Sequence, residues 1–164
     1  MRLQRTIKKE ISFQGIGLHT GKHAQVRLRP AARDTGILFY RMDKGVAIRA
    51  DVTSVIDTAF ATTIGSESAK IRTVEHLMAA AAGLGVDNLI VEVEGPEMPI
   101  LDGSATGLVG ILLDAGIAKQ GKKKPFLRII HPVAYEDAHS RVVAFPHEGR
   151  RISYSISHGH SVIG

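Results

Sequence analysis

Thr73 to Gly85 reads TVEHLMAAAAGLG and sets a glutamate beside a histidine at the start of an apolar run. Two readings of Glu75 and His76 are open. They are ordinary helix-surface residues, the carboxylate complementing the positive helix end, or they are a general base and a metal ligand held together. The positive end favours a carboxylate and disfavours an imidazolium, and a neutral imidazole is the form that binds metal. A glutamate beside a metal-activated water can take its proton. A catalytic zinc site wants three protein ligands, however, and this stretch supplies one.

Other residues carry weaker chemistry. His19 stands among the glycines of GIGLHTG, where it reads as a hairpin-turn residue. Phe60, Thr62 and Thr63 lie in DTAFATTI, leading toward the Glu-His pair, and read as core-strand residues. Asp102 opens DGS and is most simply a helix cap. His158 and His160 have the i, i+2 spacing of a strand and could share one face, a geometry that could bind metal; they are read as solvated residues. The run Lys122–Lys124 reads as a solvated linker.

The elements that must position these residues follow from periodicity. Val74, Leu77, Met78 and Ala81 form a buried stripe at helical spacing, with Thr73 as N-cap and Gly83 or Gly85 as stop. Successive helical residues turn by about 100°, so His76 points roughly opposite that stripe, sharing a smooth face with Ala79, Ala80 and Gly83. A second helix is expected over 105–115, with Leu108, Ile111, Leu112 and Ala115 inside and Asp102 or Ser104 as cap. Strands are expected over 6–13, 26–29, 37–40, 46–48, 59–64, 89–93, 126–130, 141–145 and 151–157. VRLRP with ILFY is echoed by VVAFP with ISYSI, an internal repeat of low strength. The fold class is therefore α+β, a two-layer α/β sandwich of a sheet on two helices. Residues 1–120 form that domain, 121–125 a linker, and 126–164 the opening strands of a second, similar domain, truncated.

Composition narrows the classes. The 164 residues include no cysteine, which excludes disulfides and thiolate metal sites, so any metal would use His, Asp or Glu. Lys plus Arg number 21 against 16 Asp plus Glu, a net charge of +5, but the basic residues are scattered and aromatics are only 5%, which argues against nucleic-acid binding. No apolar stretch approaches the roughly 20 residues of a membrane span, and the N-terminus lacks the apolar core of a signal peptide. The chain reads as soluble and cytoplasmic, not membrane-spanning. A non-catalytic α/β binding module and an inactive fragment are the competing readings.

Several motifs in order, GIGLHTG, TVEHL followed by AAGLGVDN, VEGPEMPILDGSA and LLDAGI, resemble the N-terminal half of the UDP-3-O-acyl-N-acetylglucosamine deacetylases. These are zinc enzymes of the committed step of lipid A synthesis in Gram-negative bacteria. The resemblance implies two domains of similar fold, Zn2+ as cofactor, His76 as one zinc ligand and Glu75 as general base. It implies UDP-3-O-acyl-N-acetylglucosamine as substrate, with His19, Phe60, Thr62 and Asp102 bordering it. The other two ligands, a His and an Asp, a Thr that helps stabilise the oxyanion, another catalytic His and the acyl-chain passage are expected in the missing C-terminal domain of the parent chain. The implied reaction is hydrolysis of the acetamide to the free amine plus acetate.

Overall fold

The computed structural model describes residues 2–157 and residue 162. The chain divides into two compact units, Met1–Lys124 and Pro125–Gly164. In the first, the strands are β1 Leu3–Ile7, β2 Ile11–Ile16, β3 His23–Pro30, β4 Ile37–Arg41, β5 Val46–Arg49, β6 Val55–Asp57, β7 Thr63–Gly65 and β8 Lys70–Ile71. Helix α1 (Glu75–Leu84), β9 (Leu89–Glu94), α2 (Thr106–Asp114) and β10 (Ile117–Lys123) complete it. The second unit holds a hairpin of β11 (Val133–Glu136) and β12 (Arg141–Ala144).

A five-stranded sheet in the order β2-β3-β9-β4-β5 forms one layer, antiparallel except for the β4–β9 pair. Its alternation is visible in β3, where Ala24, Val26 and Leu28 are buried and Gln25, Arg27 and Arg29 are exposed. Register places Val26 opposite Val93 and Leu28 opposite Val91, so the buried sets align on one face. Those residues and Phe39 join Leu77, Ala80 and Ala81 of α1 and Leu108 and Leu112 of α2 in a single aliphatic core. Full burial of a Leu, Val or Ile side chain contributes about 1.5–3 kcal/mol. The architecture is thus the α+β sandwich of a sheet on two helices that the periodicity predicts.

Helix α1 stops where an Ala-rich run meets Gly85 at φ 68°, a left-handed conformation that costs glycine nothing. The Val86 N–H reaches back to the Ala81 carbonyl at 2.8 Å, closing the end.

Several local expectations are corrected. Thr73 does not cap α1: the cap position is Val74, and no side chain bonds there. Ala80 is 2% exposed and lies in the core, not on the His76 face. The expected 6–13 strand breaks at Lys8–Glu10, whose first two amides bond the Gly116 and Ala115 carbonyls. Of the 59–64 stretch only Thr63 and Ile64 are strand, the start of β7. Gly121–Lys123, expected in a linker, finish β10 against β1, and the Lys124 N–H donates to the Arg2 carbonyl at 3.0 Å. Charged residues suit such a solvent-facing ladder. Residues 126–130 and 151–157 form no strand although the latter alternate strictly. A strand requires a partner for its amides, and in that unit β11 and β12 pair with each other.

Candidate functional site at the start of the first helix

The residues before α1 take an unusual path. Thr73 has φ 60°, a left-handed conformation that a β-branched side chain rarely adopts. Two residues on, Glu75 opens the helix. Its Oε2 accepts the backbone N–H of Thr62 at 3.0 Å, and the Val74 N–H donates to the Thr62 carbonyl at 3.3 Å. These two bonds tie the 59–62 segment to the helix start. The carboxylate also complements the positive end of α1.

His76 stands beside it, with Nε2 4.0 Å from Glu75 Oε1 and side chains 30% and 38% exposed respectively. Both groups are thus fixed at the root yet reachable. Glu75, His76 and Thr62 are the expected site residues that the fold brings into contact. Thr63, by contrast, is 1% exposed, with a hydroxyl that has no partner among the described residues. Phe60 lies in the same segment as Thr62, at φ 62° and 92% exposed, so it is no core residue.

His19 reaches the helix start indirectly. Its side chain is exposed, but its backbone N–H donates to Glu97 at 3.0 Å to Oε1 and 3.2 Å to Oε2. The Thr20 N–H donates to Glu97 Oε2 at 2.8 Å, and the Thr73 hydroxyl donates to Oε1 at 2.7 Å. Glu97 is 1% exposed. Burial pushes its carboxyl up, but the hydrogen bonds from His19, Thr73 and Thr20 outweigh that and hold it below the ordinary carboxylate range. A Cβ on Gly17 would lie 2.4 Å from Glu97 Oε2, so the carboxylate fits only because residue 17 has no side chain.

Sequence reasoning left Glu97 inside a loop. The only signal for it was the density of Gly, Pro and acidic residues in EGPEMP, which does not separate a turn from a buried acceptor.

Asp102 bonds within its own turn, accepting the Ser104 N–H at 3.0 Å, while Ser104 Oγ accepts the Thr106 N–H at 3.1 Å. Ser104 therefore supports the start of α2 and Asp102 supports Ser104. That turn is fastened to β2 by the Ile100 N–H, which donates to the Ile16 carbonyl at 3.0 Å. His158 and His160 lie outside the described residues.

Among the described residues no group of three His, Cys, Asp or Glu side chains is arranged to hold a metal ion. His76 offers one imidazole of the right chemistry, and further donors would have to come from elsewhere. A groove of about 410 Å³ over β2, β3 and β9, lined by Gln14, Gln25, Arg27, Met42 and Glu92 among others, contains none of the expected site residues. No helix among the described residues is long and apolar enough to cross a membrane.

Comparison with known proteins bears on this arrangement. The model of the UDP-3-O-acyl N-acetylglycosamine deacetylase family matches residues 4–164. A curated UDP-3-O-acyl-N-acetylglucosamine deacetylase of Thermodesulfovibrio yellowstonii is 48% identical over 163 residues, covering 99% of this chain and 56% of the relative. The enzyme of that name from Oleidesulfovibrio alaskensis is 47% identical, covering 98% of this chain and 53% of its own. That of Haemophilus influenzae (strain PittEE) is 46% identical over 98% of this chain and 54% of its own. The chain thus spans about half the length of the curated relatives it matches. With the match running through the glycine loop, the Glu-His helix and the DGS turn alike, the chain belongs to the UDP-3-O-acyl N-acetylglycosamine deacetylase family.

Proposed function

We propose that this chain is the N-terminal part of a zinc-dependent amide hydrolase, which removes the acetyl group of UDP-3-O-acyl-N-acetylglucosamine to give the free amine and acetate. On this reading it serves the committed step of lipid A synthesis in the cytoplasm of a Gram-negative bacterium. The observation that carries the proposal is the pairing at the start of α1: the Glu75 carboxylate is anchored to the Thr62 N–H, with the His76 imidazole beside it and both partly exposed.

His76 would hold the zinc as one ligand, the remaining donors coming from the rest of the parent chain. A zinc ion, when bound, polarises an amide carbonyl and lowers the pKa of water. Glu75 accepts the proton of the attacking water as its oxygen adds to the acetamide carbon. The carbon–nitrogen bond then breaks, the amine leaves carrying a proton, and acetate is the other product. The Thr62 anchor leaves Glu75 Oε1 free of that bond and fixes the direction in which it faces. His19, Phe60, Thr62 and Asp102 border the substrate on this reading. On this reading Met1–Lys124 is the first domain, and Pro125 onward begins a second domain of similar fold.

The test is acetate release from UDP-3-O-acyl-N-acetylglucosamine by the full-length protein, before and after chelation and after zinc is restored. Turnover that depends on zinc is expected. A full-length protein that binds the nucleotide sugar and never releases acetate would overturn the reading.

A further inference from the structure

We infer that Glu97 is a positioning residue of this site: it clamps the 17–20 loop to Thr73 and thereby fixes the start of the helix that carries Glu75 and His76. The inference rests on the deacetylase reading for its kinetic consequence and on geometry for the clamp itself.

The geometry is specific. Glu97 is almost fully buried, and its hydrogen-bond donors include two backbone N–H groups, of His19 and Thr20, and the Thr73 hydroxyl. None of these belongs to its own loop, and none is a cation. A buried carboxylate without a counter-ion survives only when several donors converge on it. An apolar side chain would fill such a space without that requirement. What the carboxylate adds is direction, because it joins two segments far apart in sequence at one point.

One of those segments is strained. Thr73, at φ 60°, holds a conformation that persists only when its surroundings enforce it. Its hydroxyl bond to Glu97 is a direct constraint on that conformation. The flanking backbone adds two more: the Arg72 N–H donates to the Pro96 carbonyl at 3.1 Å, and the Met98 N–H donates to the Arg72 carbonyl at 3.0 Å. Residues 96–98 thus run along residue 72, and the Glu97 side chain closes over residue 73. Glu75 follows two residues later, so a relaxed Thr73 redirects it. The same carboxylate seats the His19 backbone, so one group sets the distance between the glycine loop and the Glu-His pair.

The test uses the full-length enzyme with Glu97→Gln, Thr73→Val, Thr73→Ser and the double variant Glu97→Gln/Thr73→Val. Glu97→Gln turns an NH2 group toward N–H donors. Thr73→Val removes the hydroxyl at constant shape, and Thr73→Ser restores it. The expected result is a fall in kcat of about tenfold or more, per folded zinc-loaded molecule, in Glu97→Gln and in Thr73→Val. Thr73→Ser keeps most of the activity, and the double variant is no worse than the poorer single. Amide hydrogen exchange, measured without substrate, is expected to quicken over 17–20 and 73–76 in Glu97→Gln. Wild-type kcat in both single variants, or a lower melting temperature with kcat per folded molecule unchanged, overturns the inference. An inactive wild-type enzyme sinks the deacetylase reading alone. The clamp then rests on the exchange, and unchanged protection in Glu97→Gln removes it.

Discussion

The Glu75 carboxylate accepts the backbone N–H of Thr62 at 3.0 Å, across 13 residues of chain. This bond gives the Glu75 carboxylate a fixed direction, while His76 Nε2 stands 4.0 Å from its other oxygen. A glutamate that only complemented the helix dipole would need no such partner.

Glu75→Gln separates chemistry from position, because the amide oxygen can still accept from Thr62. In the full-length protein this variant is expected to keep its zinc content and melting temperature and to lose about 100-fold or more in kcat, the usual cost of removing a general base. Steady-state acetate release together with metal analysis checks it. Normal turnover would remove Glu75 from the proton-transfer role.

Zinc affinity divides the roles of the histidines. The 164-residue chain by itself is expected to bind zinc weakly and to show negligible deacetylase activity, since its described residues offer no set of three ligands. In the full-length protein, His76→Ala should lower zinc occupancy after dialysis, whereas His158→Ala should not. Metal analysis of the dialysed proteins decides. Stoichiometric zinc in the 164-residue chain that survives His76→Ala and disappears in His158→Ala would place the metal elsewhere.

Gly17→Ala tests the close approach of the glycine loop. A methyl there meets Glu97 Oε2 at 2.4 Å and must displace a buried carboxylate from its donors. The expected cost is about 1–3 kcal/mol of folding stability, read from urea unfolding at neutral pH. An unchanged midpoint would show that the carboxylate moves aside freely.

Acid stability follows from the buried carboxylates. Burial pushes Asp87 up, but its bonds from Arg2 and Lys124 and the Arg5 amide outweigh that, and its carboxyl, like that of Glu97, lies below the ordinary range. A group whose folded pKa is depressed stabilises the protein above its unfolded value, about 4 for these side chains, and loses that contribution as pH falls through the folded value. Stability is therefore expected to be level between about pH 7 and 5 and to fall steadily below that. Glu97→Gln should lose less than wild type between about pH 5 and 3. Urea midpoints at the three pH values check both statements, and an equal loss in variant and wild type would refute the assignment to Glu97.

The sequence by itself determined the local elements whose pattern is short-ranged. The alternation of Val26 and Leu28 fixes which face of β3 is buried, and the spacing of Leu77 and Ala81 makes α1 a helix packed on that face. The Glu75-His76 pair was legible for the same reason, since both residues are neighbours at one helix start. Tertiary structure decided what depends on distant partners. Thr73 reads as an N-cap from its neighbours, yet a carboxylate 24 residues later holds its hydroxyl, while α1 starts from Val74 without a side-chain cap. Gly121–Lys123 reads as a linker until β1, more than a hundred residues earlier, supplies a partner for its amides. Glu97 reads as one acid in a Pro- and Gly-rich loop, and nothing within that loop satisfies it. Its donors are His19 and Thr20, 78 and 77 residues away. Periodicity records which way a residue faces within its own element. It does not record which distant backbone amide will turn toward a buried carboxylate, and at this site that pairing sets where the helix begins.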